Sequence, residues 1–188
     1  MTGSGTEPAR PLVVVTGEPR SGKTALCMAV AARLRRCHLQ PGGVVCPGRF
    51  LGGRQIGKWV TDASTGQSRL LAERPWQGDV PGPYRLRPEA LAWGNEVVSA
   101  AAGWADAVII DEVGPEELLR GGGWVAGLVR AAAGDAPLLV VVRPSLLDDL
   151  LTKLAAHRRV DEQAGCKIVY ANAVCSEMVA RHLGAKHE

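Results

Sequence analysis

Eight residues near the start of the chain, Gly17-Glu18-Pro19-Arg20-Ser21-Gly22-Lys23-Thr24, carry the spacing G-x-x-x-x-G-K-[ST]. The glycines let the backbone bend around an anion, and successive N–H groups then point inward, with Ala25 adding another at the start of the following helix. In this arrangement Lys23 reaches the β- and γ-phosphates of a nucleotide, and the Thr24 hydroxyl supplies one oxygen to Mg²⁺, a hard ion that prefers oxygen ligands. A second group of residues, Asp111-Glu112, follows the apolar run Ala107-Val-Ile-Ile. Two carboxylates at the end of a buried strand sit where ligands bind in open α/β sheets. Asp111 is expected to hold Mg²⁺, and Glu112 to polarise a water for attack on the γ-phosphate.

Several other side chains have two readings. Arg143 follows the run Leu138 to Val142, so it either emerges beside Asp111 and meets a phosphate or is an ordinary surface arginine. Arg54 has the same two readings, the first as an arginine finger. Arg20 either touches the γ-phosphate or is a solvated loop tip. Trp59 and Tyr84 are candidates to stack on a base, although packing is the commoner use of such rings. Cys37, His38 and Cys46 lack a fourth ligand and the spacing of a metal site.

The elements that must position these groups follow from patterning. Pro11 to Thr16 is a β-branched run, Gly22 to Arg36 a helix, and Val44 to Cys46 a short strand. Gln55 to Ala72 is expected as a hairpin turning at Ala63 to Gln67. Glu73 to Pro88 is rich in proline and is expected as a loop with a short strand near Tyr84 to Arg87. A helix follows from Glu89 to Ala102, then a strand over Ala107 to Ile110 and a helical stretch from Pro115 to Ala133 broken by Gly121-Gly-Gly123. The chain closes with a strand over Leu138 to Val142, a helix capped by Ser145 and reaching Ala156, a strand over Lys167 to Tyr170 and a helix from Ala173 to Leu183. Strands alternating with helices specify an α/β fold, a mostly parallel sheet between two helical layers. Residues 1–10 are expected as a flexible tail and 11–188 as one domain, with the antiparallel insert at about 50–88.

Composition removes other classes. The chain has 188 residues, 46% hydrophobic and 22% charged, with a formal charge of +3. That size suits a single domain with a large core, and the charge is too small to be a nucleic-acid footprint. No apolar run approaches the roughly 20 residues of a membrane span. The polar start and five scattered cysteines suggest a cytoplasmic protein with free thiols.

The two motifs in this order, with Arg54-Gln-Ile-Gly57-Lys-Trp59, Thr65-Gly66, Gly82-Pro-Tyr84 and Asp111-Glu-Val-Gly114-Pro-Glu-Glu117-Leu118, resemble the small nucleoside-triphosphatases of the thermophile and cancer-related type. The resemblance covers roughly residues 11 to 145. It implies a three-layer P-loop fold with a RecA-like sheet, and Mg²⁺-dependent hydrolysis of ATP, GTP and other nucleoside triphosphates with little base preference. Arg20 stands where that family usually has glycine, the Arg54 element is one residue longer, and Asn172-Ala173 replaces an Asn-Arg pair. The loop also resembles that of adenosylcobinamide kinase/guanylyltransferases, with no counterpart elsewhere in the chain. Two alternative functions remain open: a nucleotide-gated switch read by a protein partner, with hinges at Gly42-Gly43, Gly52-Gly53 and Gly121-Gly-Gly123, and phosphoryl transfer to a small acceptor.

Overall fold

Three runs of buried aliphatic residues, within Leu12–Thr16, Ala107–Val113 and Leu138–Val142, set the architecture. The computed structural model describes residues 10–158, 160 and 166–186. Strands β1 (Leu12–Thr16), β2 (Pro41–Val45), β9 (Ala107–Val113), β10 (Leu138–Val142) and β11 (Cys166–Tyr170) run parallel in the order β11-β1-β10-β9-β2. The middle strands β1, β10 and most of β9 are buried throughout, which is why they read as continuous apolar runs rather than alternating ones. Helices α1 (Lys23–Arg36) and α6 (Ser176–His182) cover one face, packing Cys27, Val30, Leu34 and Val179 against Val13, Val15 and Ile109. On the other face lie α2 (Pro88–Ala101), α4 (Val125–Ala133) and α5 (Leu147–Ala155), whose Val98, Leu128 and Leu150 meet Val14, Ile110 and Val140. This is the expected three-layer arrangement.

The insert has the expected extent but more strands than the sequence reading, and it extends the main sheet. Strands β3 (Gly48–Leu51), β4 (Arg54–Asp62) and β5 (Ser68–Glu73) are antiparallel, and β4 pairs directly with β2. Two hairpins form where one was expected. Gly52 and Gly53 join β3 to β4 with φ of 55° and 75°, the positive pair that a two-residue type I′ turn requires. The proline-rich stretch carries the short strand expected near Tyr84 to Arg87, as β8 (Arg85–Leu86) on β5, and also a pair that was not expected, β6 (Trp76–Gln77) with β7 (Val80–Pro81). Each is only two residues long because proline lacks an N–H for the ladder.

Other boundaries also differ. Strand β2 begins at Pro41, and its glycines serve close packing rather than hinging. A Cβ on Gly42 would lie 2.6 Å from the Ala101 Cβ of α2, and one on Gly43 would lie 2.1 Å from the Ile109 carbonyl oxygen of β9. Gly121 to Gly123 separate α3 (Pro115–Leu118) from α4, and a Cβ on Gly123 would meet Glu117 Oε1 at 1.8 Å. None of the three expected hinges is an open linker. Ser145 does not cap α5: Pro144 opens a 3-10 turn through Leu146, and the helix follows without a side-chain cap. The last helix starts at Ser176, three residues later than expected. The tail expected at 1–10 lies outside the described residues except for Arg10, which donates to the Ala133 carbonyl at 3.2 Å.

Candidate active site

The loop between β1 and α1 forms as its residue types dictate. Gly17 adopts φ 144° against the side chain of Ser21, so close that a Cβ would lie 2.7 Å from Ser21 Oγ. Gly22 is left-handed at φ 88° and begins α1 with no side-chain cap and no acidic residue in the first turn. The helix therefore presents its first N–H groups, and the positive end of its dipole, to the space outside the loop. Arg20 is also left-handed at φ 67°, at the exposed loop tip.

Lys23 lies along this loop. Its Nζ donates to the Gly17 and Glu18 carbonyls at 2.6 Å each, with Ser21 Oγ at 3.4 Å. Desolvation lowers its pKa, and the carboxylates of Glu112 and Asp111 oppose that shift. The ammonium is thus poised among weak neutral acceptors that a phosphate oxygen can replace.

Strand β9 carries the second group through a bulge. Val140 pairs with Ile110 and Val142 with Val113, so β9 has one more residue than β10 over this interval. Glu112 occupies the irregularity at φ 71°. As a result Ile110 and Val113, three apart, both enter the core beneath α2, which strict alternation does not allow. Asp111 is 1% exposed. Its Oδ2 accepts from Cys46 N–H at 2.9 Å, the neighbouring Thr24 hydroxyl favours the charged form, and Oδ1 has no partner. Desolvation raises its pKa to about 6. An unpartnered buried carboxylate oxygen beside a threonine hydroxyl suits a divalent cation, which restores the charged form. Mg²⁺ typically takes one or two protein oxygens and fills its shell with water and phosphate, so the donor set fits.

Glu112 is flanked by cations. Lys58 Nζ of β4 donates to Oε2, and Arg143 Nη2 lies 3.7 Å from Oε1. All these groups open on one cleft of about 870 Å³, lined also by Pro19, Arg20, Gly22, Ala25, Arg74 and Tyr84. Five basic side chains (Arg20, Lys23, Lys58, Arg74 and Arg143) face two acidic ones there, which favours a polyanion. Beyond β9, Glu117 ties the following segment down: it accepts from Gly114 N–H at 2.8 Å and Trp124 N–H at 3.1 Å.

Arg54 and Trp59 are not part of this cleft. Arg54 donates to the Gly78 carbonyl and pairs with Asp79, over the Trp76 ring. Trp59 packs beneath Arg49. Tyr84 does reach the cleft, with Lys58 and Arg74 on its ring at 5.1 and 5.0 Å from the centroid. The sequence reading missed Lys58. One signal was present: Lys58 is two residues from Val60, so strand alternation puts a lysine on the same face as a core valine.

A family model described as NTPase matches residues 12–164. A curated nucleoside-triphosphatase, THEP1, from Methanopyrus kandleri is 37% identical over 146 residues, covering 78% of this chain and 81% of its own. Its namesake from Ignicoccus hospitalis is 32% identical over 141 residues, covering 73% and 78%. The solution structure of a human cancer-related nucleoside triphosphatase superposes with a TM-score of 0.69 at 18% identity, covering 95% of this chain and all of that one, a likeness of fold.

Proposed function

This chain belongs to the NTPase family, and from that premise we propose that it hydrolyses nucleoside 5′-triphosphates such as ATP and GTP to diphosphate and phosphate, with Mg²⁺ and broad base tolerance. The observation that carries the reading is the convergence of Lys23, Thr24, Asp111 and Glu112 on one cleft, with Asp111 Oδ1 buried and unpartnered. The amides of residues 17–25 and the α1 dipole bind the phosphate chain. Lys23 exchanges its carbonyl partners for phosphate oxygens and offsets charge on the transferring group. Thr24 and Asp111 would hold Mg²⁺, which when bound would supply positive charge against the triphosphate. Glu112 accepts a hydrogen bond from the attacking water and aims it, while Arg143 steadies Glu112 and adds positive charge beside it. Broad base tolerance is supported by where the charged side chains lie: they surround the phosphate end.

Phosphate release from ATP, GTP and CTP with Mg²⁺ tests the reading. Glu112→Gln should lower the rate by about 10²- to 10⁴-fold while nucleotide binding survives. An unchanged rate refutes the assignment. A second reading, phosphoryl transfer to a small acceptor, is favoured by a cavity of about 190 Å³ that shares Lys58, Tyr84 and Glu112 with the cleft and is walled by Leu71, Leu91 and Trp124. Phosphate on an added alcohol, rather than in solution, would support it. We take the protein to be cytoplasmic, with its cysteines in the thiol form and no nucleic-acid partner. Among the described residues, no helix is long and apolar enough to cross a membrane.

A further inference from the structure

The hydrolytic reading gives Lys58 no task, yet Lys58 is the closest cation to the residue that aims the water. Its side chain is 17% exposed and touches Glu112 Oε2 at one end of the cleft, with the Tyr84 ring beneath it. Arg143 faces the other oxygen of the same carboxylate but is 56% exposed, where water screens the pair. Lys58 occupies Oε2 with a charge-assisted hydrogen bond, whereas Arg143 at 3.7 Å from Oε1 is an ion pair without one. Oε2 becomes fully open to a water hydrogen only when Lys58 leaves it. Lys58, the less hydrated of the two cations, cannot leave without another anion to receive it.

We propose that Lys58 reads the γ-phosphate: without nucleotide its ammonium holds Glu112, and on triphosphate binding it moves to a γ-phosphate oxygen, freeing Glu112 Oε2 for the attacking water. The proposal rests on the triphosphatase reading above and deepens it. A diphosphate bound in the same loop ends before the Glu112 side of the cleft and offers Lys58 nothing. Lys58 then stays on Glu112, so the pair couples recognition of the third phosphate to release of the water-aiming group. The exchange moves no covalent bond: one charge-assisted hydrogen bond is replaced by another.

Lys58→Met and Lys58→Arg test this by calorimetry with Mg²⁺ and either ADP or β,γ-imido-ATP, alongside ATP hydrolysis. The expected result for Lys58→Met is unchanged ADP affinity, triphosphate affinity weaker by about ten-fold or more, and a lower kcat through loss of the cation on the transferring group. Lys58→Arg should restore most of the preference for triphosphate over diphosphate. ADP binding also reports that the variant is folded; if Lys58→Met fails to fold, Lys58→Gln is measured the same way. The proposal is overturned if the triphosphate-to-diphosphate ratio and kcat are unchanged while the wild-type protein binds and hydrolyses ATP. It is also overturned if both nucleotides weaken equally, which marks a structural role. A wild-type protein that binds no triphosphate overturns the triphosphatase reading and this one together, an outcome distinct from the other two.

Discussion

The parallel and antiparallel halves of the one sheet are built differently and contribute different things to the cleft. Strands β1, β9 and β10 are buried on both faces, and the residues at or just beyond their C-terminal ends, Asp111, Glu112, Arg143 and, at the start of α1, Lys23, inherit fixed positions from that packing. The wing of β3, β4, β5 and β8 is partly exposed and brings Lys58, Arg74 and Tyr84 in from the side. The difference suggests that the parallel half captures the phosphates and the wing senses what has been captured. Rigid packing suits the first task, and a half-buried strand free to exchange ion-pair partners suits the second.

The largest effect should come from the parallel half. Lys23→Ala removes the charge inside the loop, and kcat/KM for ATP should fall by about a thousand-fold or more, with triphosphate binding weakened in calorimetry. Affinity unchanged by this variant would break the comparison at its base.

Stability should divide along the same line. The Cβ of Gly43→Ala would meet the Ile109 carbonyl oxygen at 2.1 Å, at a glycine with φ 90°. We expect a loss of about 3 kcal/mol in urea unfolding, since neither backbone can yield within the core. Gly57→Ala, 2.4 Å from the Ala72 carbonyl oxygen in the wing, should cost about 1 to 2 kcal/mol because the strands there can splay toward solvent. Equal losses would mean that the wing is as rigid as the core.

Buried Asp111 makes the parallel half sensitive to pH. Its pKa of about 6 in the folded protein exceeds the value of about 3.9 in an unfolded chain. The folded state therefore binds the proton more tightly, and stability from this group is full below a pH of about 4 and is lost as pH rises through about 6. Thermal melts of the metal-free protein should show roughly 2 to 3 kcal/mol of this dependence, absent in Asp111→Asn.

The smallest effect is expected at Arg54, tied to Gly78 and Asp79 outside the cleft. Arg54→Ala should change kcat by less than about two-fold, because a partly exposed ion pair contributes little. A large loss would show that the wing closes over the substrate.

Much of the capture machinery was legible along the chain, since each part is local. A strand, a G-x-x-x-x-G-K-T turn and a helix are contiguous, so residues 17–25 specify their own geometry, and Asp111 follows its own apolar run. The wing was less legible. The prolines of 73–88 suggested a loop with one short strand near Tyr84 to Arg87; that strand forms as Arg85–Leu86 on β5, but the pair of Trp76–Gln77 with Val80–Pro81 had no signal along the chain. Gly42-Gly43 resembled a hinge, whereas the approach of α2 and β9 required the absence of side chains there.

Sequence by itself determined the glycine-rich loop of residues 17–24, the acidic pair and the alternation of strands and helices, because backbone preference and hydrophobic period act over a few neighbouring residues. Tertiary structure alone decided that Lys58 meets Glu112 across 54 positions, that Arg54 turns away to Asp79, and that Asp111 keeps one buried oxygen open. Those outcomes depend on strand pairing, the bulge in β9 and the depth of burial, which arise only when distant segments pack together.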